Sequence, residues 1–441
     1  MQKLGFRIVF DVFGAGSAWM REEGQGYFFG RPIAPRNDNG RRICDRTGAQ
    51  SPFAERGLIK AVTDRLPGTE PDTIQGHDRD LRLDACRGIA LWFVFINHIP
   101  DNTLTWLTLR NYGFSDTSEV FVFVSGYTCM LAYGGALRTQ GWPTIAARAI
   151  RRCWEIYAAF LILFIVYAAM VWVIGGGHRF LDETNTGVFF RAPGAAIVHA
   201  VVLQYAPVNT DILPTFVLLH LSFPALLWLL MRFPTTVLMA SAVLYLMVQL
   251  RSWHVPAWPG GEMYFNPFAW QFLFVLGAWY VCDGARRIRK VLQSPVVLAV
   301  ALLYLAISLI IALSWQFKLI ERLVPAEVSA LIYPIYKSHL APVRLLHLLG
   351  LAVVISRLTP RDWNRLMMPW MMAVIRCGEN SLLIYCLGVL LSLLAHIILA
   401  ELDGGLVMQI AVSIGGIALM ILAATLSTWE GRLDRHGPKL F

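Results

Sequence analysis

Arg87 and His98 stand with ten residues between them at the start of the first long apolar run, in Leu83-Asp84-Ala85-Cys86-Arg87-Gly88 through Ile96-Asn97-His98. At 1.5 Å rise per residue this spacing spans roughly 16 Å of helix, about half a bilayer core. It links a cation near the water surface to an imidazole near the midplane. Ionisable groups at such depth are costly to keep and mark function by default. A neutral imidazole there can take a proton from a hydroxyl. The competing reading is that His98 closes a helix beside Asn97 and Pro100 while Arg87 anchors the cytoplasmic end. The two residues alone leave both open.

Three further constellations carry chemistry. Asp116 and Glu119, at i and i+3 where the second apolar helix begins, share one face and could orient the imidazole or hold sugar hydroxyls. They lead into Phe121 through Ser125-Gly126, where small residues let another backbone approach, more a packing signal than a catalytic one. Arg148 and Arg151, three apart in an inner loop with Arg152, could grip phosphates such as those of coenzyme A, with topogenic charge as the equal alternative. Polar residues at helix mouths would suit a carbohydrate-facing rim: Asn266, Trp270 and Gln271 at one, Asn380 with Ser381 at another, and Gln204, Tyr205 and Asp211 beside them. An interfacial aromatic belt explains the same tryptophans and tyrosines equally well. His199, His220, His347 and His396 are expected to be structural. No metal site is indicated, since only His339 and His347, eight apart, approach ligand spacing.

Composition fixes the solvent around these groups. Hydrophobic residues make up 56% of the 441 and charged residues 15%, and the mean hydropathy is +0.54, outside the range of a soluble domain. The net charge of +9 lies in short arginine clusters between apolar runs, which sets orientation and argues against nucleic-acid binding. Seven cysteines without a C-x-x-C pair indicate neither a disulfide framework nor zinc. Residues 1–80 are polar, with a poor signal-peptide pattern, and are expected to be a disordered cytoplasmic extension.

The expected fold is an all-α polytopic membrane protein, with a transmembrane domain over 81–430 and a cytoplasmic tail over 431–441. About ten spans are expected, at 84–104, 118–137, 153–175, 212–231, 233–250, 267–283, 295–315, 339–357, 381–401 and 405–428. Ala195–Tyr205 is too short to cross and would be re-entrant or interfacial. Arginine-rich loops alternate with polar, aromatic ones, which places both termini in the cytoplasm. Lys318, Arg322, Lys337 and Arg344 are the exceptions to that pattern.

The Arg87-x10-His98 pair, Phe121-x-x-x-Ser125-Gly126 and Arg148-x-x-Arg151 resemble the hallmarks of acyltransferase family three, with Val122 where a second aromatic is usual. Leu83-Asp84-x-x-Arg87-Gly88, Asn97-His98-Ile99-Pro100, the run Arg110 to Glu119, Asn266-Pro267-x-x-Trp270-Gln271 and Gly378-x-Asn380-Ser381-Leu382 are similar to the OpgC family. The resemblance covers about residues 80–430. It implies a multi-pass protein of the bacterial inner membrane that moves an acyl group, succinyl above all, from cytoplasmic acyl-CoA to hydroxyls of a periplasmic glucan. Acyl-CoA would be a co-substrate, with no permanently bound cofactor, and the oligomeric state stays open, a homodimer included. His98 would be the general base, Arg87 would stabilise the thioester end or the oxyanion, and Asp116 or Glu119 would orient His98 or the acceptor. Arg148 and Arg151, with Ser125, would serve the donor, and Asn266, Trp270, Gln271, Asp211 and Asn380 the glucan. The resemblance leaves the choice of succinyl, acetyl or another short acyl group open, and a succinyl carboxylate would want a nearby cation, for which Arg110, Lys337 and Arg344 are unranked candidates. The rival reading is a transporter or flippase of an amphiphile.

Overall fold

The computed structural model describes residues 80–174, 180–322, 324–359 and 364–436. The extension expected over 1–80 thus lies outside the described residues but for Asp80. Helices dominate, and among the described residues the one strand-like feature is an isolated bridge between Pro256 and Glu262. The principal helices are α1 (Leu81–Asn97), α2 (Thr117–Gln140), α3 (Trp142–Val173), α4 (Ile212–Arg232), α5 (Pro234–Arg251), α6 (Pro267–Trp279), α7 (Pro295–Ser314), α8 (Pro342–Leu358), α9 (Pro369–Glu379), α10 (Ser381–Glu401) and α11 (Leu406–His436). Seven of them, α2 to α5, α7, α10 and α11, are long and apolar enough to cross a membrane, and the protein is a multi-pass membrane protein.

Helices occupy all ten expected positions, but α1, α6 and α8 are shorter than the crossings expected there. Helix α1 stops at Asn97 instead of 104, because Pro100 has no N–H to continue the ladder and Asp101 takes φ 53°. Short 3₁₀ turns at Thr103–Leu107 and Leu109–Asn111 follow. Helix α6 gives way to a π-turn over Tyr280–Gly284. Helix α3 begins eleven residues earlier than expected, since Gly141 at φ 75° breaks the chain and Pro143 seeds the next helix. Arg148, Arg151 and Arg152 therefore lie in its first turns and not in a loop. Helix α11 runs past Glu430 into the segment expected as a tail.

Helix α9 is an addition the apolar runs do not announce. Its Gly378 lies so close to α1 that a Cβ there would stand 1.9 Å from the Asp84 carbonyl oxygen, and a Cβ at Gly88 would stand 2.0 Å from the Val374 carbonyl. Gly126 and Gly277 join α2 to α6 in the same way, with Cβ positions 1.9 Å from the Phe274 carbonyl and 2.2 Å from the Phe123 carbonyl. Backbones can meet this closely only where side chains are absent, the usual device for packing helices when lipid offers no hydrophobic drive. Gly378→Ala is expected to lower stability by about 1–3 kcal/mol, seen as a lower melting temperature in detergent. Gly415→Ala, with open space around its Cβ, is the control that should not move.

Irregular chain over 202–211 overlaps the end of the short segment expected at Ala195–Tyr205. A nine-residue helix, Pro193–Val201, leads into it, and the Asn209 carbonyl accepts a 2.6 Å hydrogen bond from Tyr385 Oη. Tyr385 lies one turn into α10, near the end of that helix that follows α9. Thr210 is fully buried and its hydroxyl donates to the Pro207 carbonyl at 2.7 Å, whereas Val202 and Val208 are exposed.

Candidate functional site

The site forms where α1 ends and α2 begins. Asp116 is the N-cap of α2, its Oδ1 accepting the Ser118 N–H at 2.8 Å while Glu119 Oε2 accepts the Asp116 N–H at 3.0 Å. This reciprocal capping box satisfies two orphan backbone donors and fixes both carboxylates. Each then meets a cation from far along the chain. Lys337 Nζ lies 2.6 Å from Asp116 Oδ2, and Arg344 Nε donates to Glu119 Oε1 at 2.6 Å. The second arm of Arg344 reaches Asp116 Oδ2 at 3.5 Å. Glu119 is wholly buried. Two cations and two carboxylates thus make a neutral quartet, which removes most of the cost of enclosing them.

The segment that carries Lys337 is pinned from behind. The Ser338 carbonyl accepts from the Asn266 N–H at 3.1 Å and from Trp270 Nε1 at 3.0 Å. The Leu340 carbonyl accepts from Tyr245 Oη at 2.8 Å, and the His339 carbonyl from Gln249 Nε2 at 2.7 Å. Below it, His347 Nδ1 lies 2.7 Å from the Ser115 hydroxyl, one residue before the cap.

Burial alone would raise the Asp116 carboxyl, but Lys337 and Arg344, with the Ser118 N–H, hold it well below the usual carboxylate range. A depressed folded-state value gives stability that is complete above the ordinary aspartate range near 4 and is lost as pH falls below it. The melting gap between the parent and Asp116→Asn is therefore expected to be constant from about pH 6 to 8 and to narrow below about pH 4.

His98 closes α1 as its C-cap, its own N–H bonded to the Val94 and Phe95 carbonyls. The ring lies in the field of Lys337, Asp116 and Arg110, yet no atom of the described residues bonds it, and its Nδ1 is buried without a partner among them. Other described histidines are engaged: His199 with Gln204, His220 with the Phe216 carbonyl, His254 with the Ser252 carbonyl, His339 with Glu262, His347 with Ser115 and His396 with Glu183. Among the described side chains His98 is the one imidazole without a partner.

Several sequence expectations are corrected by these positions. Asp116 and Glu119 do not orient His98 through a hydrogen bond, because the capping box and the two cations occupy their oxygens. Arg87 and His98 lie on one face of α1, since eleven residues turn about 1100°, but about 16 Å apart along it. The Arg87 guanidinium is held by Thr128 Oγ1 and, at 3.7 Å, by Asp84. It is therefore too far from His98 to stabilise an oxyanion formed there.

The expected rim is largely a set of fasteners. The Asn266 side chain caps α6 and donates to the Trp253 carbonyl at 2.6 Å, Trp270 is wholly buried, and Gln271 is bonded to Ser241 of α5 through both its carbonyl and its amide. Asn380 belongs to the opposite end of the bundle, beside α9 and Asp84. It ties α10 to α11 through Ser427, Thr428 and the Ala424 carbonyl. Asp211, half-buried, is the residue from which α4 starts. Ser125 is buried at the α2–α6 crossing, its carbonyl accepting from Thr128. Arg151 is half exposed and 3.4 Å from Glu155, which also holds Arg152 at 3.0 Å, and Arg148 shares that face of α3 one turn earlier. Lys337 and Arg344 are the site residues the charge pattern sets aside as exceptions. Their misfit with the positive-inside rule was the available signal.

A family model described as OpgC protein matches residues 79–432. No curated protein and no solved structure matches.

Proposed function

The chain belongs to the OpgC family, which implies a transferase of the glucan succinyltransferase type, and from that premise we propose an acyl-CoA-dependent O-acyltransferase of the bacterial inner membrane. It takes an acyl group, succinyl foremost, from cytoplasmic acyl-CoA and places it on a hydroxyl of a periplasmic glucan. Membership of the wider acyltransferase family three, with both termini in the cytoplasm, belongs to the same proposal.

The observation that carries it is the unpartnered His98. A buried ring nitrogen without a hydrogen bond is costly, and the other described histidines avoid that cost. Such a ring is poised to accept a proton from a substrate hydroxyl. The hydroxyl oxygen then attacks the thioester carbonyl carbon, the carbon–sulfur bond breaks, and His98 returns the proton to the departing thiolate. The products are a glucan ester and free coenzyme A. Arg87, about 16 Å of helix away from His98, serves the donor along its path from the cytoplasmic side, and Arg148 and Arg151 receive its phosphates.

Purified protein given succinyl-CoA or acetyl-CoA, with and without a β-glucan, should release free thiol only when donor and glucan are both present. Silence with every donor and acceptor would favour the transport of an amphiphile instead.

A further inference from the structure

Resting on that acyl-transfer reading, we infer that Arg110 is a specificity residue that binds a carboxylate delivered to His98 by the substrates, in the first place one carried by the acyl chain. Three cations are candidates for holding such a group, Lys337, Arg344 and Arg110, and of these Lys337 and Arg110 lie near enough to act on the His98 ring. The first two are committed. Lys337 is paired with Asp116 at 2.6 Å and lies over the Phe265 ring at 5.4 Å, and Arg344 is paired with Glu119 and Asp116. A substrate carboxylate brought to either would compete with a fixed one at close range, and the quartet has no spare positive charge.

Arg110 differs on each count. Its side chain is exposed and donates only to the Asn97 carbonyl, at 3.3 Å, on the residue preceding His98. Among the described residues no carboxylate lies within ion-pair distance of it. Its segment is nevertheless tied to the His98 turn, because Thr108 Oγ1 donates to Asn97 Oδ1 at 2.7 Å, and to α11, because Asn102 Nδ2 donates to Ser413 Oγ at 3.0 Å. Tyr112 Oη donates to the Trp106 carbonyl at 2.6 Å and closes the same short segment. A guanidinium with donors to spare, tethered beside an imidazole that has no described partner, matches a ligand with a carboxylate on one side and a reacting carbonyl on the other.

The test compares the parent with Arg110→Gln and Arg110→Lys in thiol release, using succinyl-CoA and acetyl-CoA against a neutral β-glucan and a uronic-acid-containing glucan. If the carboxylate is on the acyl chain, Arg110→Gln loses about 10- to 100-fold in kcat/KM with succinyl-CoA on either glucan, keeps its acetyl-CoA rate, and Arg110→Lys recovers part of the loss. If the carboxylate is on the acceptor, the loss follows the uronic acid and ignores the donor. Equal losses in all four combinations, or none, would overturn the role of Arg110 while leaving acyl transfer intact. A silent parent protein would overturn both.

Discussion

His98→Gln is expected to reduce glucan-dependent thiol release by about 10²- to 10⁴-fold, the usual contribution of a positioned general base. The fold should be untouched, since no described protein group bonds the ring and only the backbone N–H of residue 98 caps α1. Melting temperature and detergent elution of the variant should therefore match the parent. A histidine kept for packing would give the opposite pattern, with lower stability and proportionate activity. A variant that melts normally and still transfers acyl groups at the parental rate would remove His98 from the chemistry.

The second large effect is on stability. Arg344→Met leaves the wholly buried Glu119 without the cation 2.6 Å from it, and breaking a buried pair from one side costs about 3–5 kcal/mol. Glu119→Gln combined with Arg344→Met should recover a large part of that loss, because the remaining buried group is then uncharged and the amide oxygen can still accept the Asp116 N–H. Melting curves of the two variants would decide it. A single variant as stable as the parent would mean that Glu119 is neutralised by something other than Arg344.

Much of the fold was legible because lipid imposes long apolar runs, and each of the ten runs corresponds to a helix. Where the helices depart from the apolar runs, the cause lies in forces that hydropathy does not record. Helix α9 has only eleven residues and spends its apolar face on α1, so nothing in its sequence demands bilayer length. The stop at Asn97 was written in Pro100, and the early start of α3 in Gly141 and Pro143. The capping pattern Asp116-x-x-Glu119 stood in the sequence as two acids on a shared face, and its reciprocal backbone bonds could have been inferred from that spacing. The partners of those acids could not. Lys337 and Arg344 are 221 and 225 residues away, and only the folded bundle brings them close. For the same reason the polar helix mouths looked like a sugar rim, whereas Asn266, Gln271 and Asn380 are occupied in holding helices together.

The distance along the chain between Glu119 and Arg344 also bears on biogenesis. At ribosomal rates of about 5–20 residues per second, 225 residues take about 10–45 s to make. For that interval the carboxylate of α2 has no lasting counterion, and α2 cannot settle into its final place. The quartet closes only when α8 arrives, so the site is among the last parts of the bundle to assemble. A nascent chain arrested before α8 should remain open to membrane proteases, and one arrested after it should be protected.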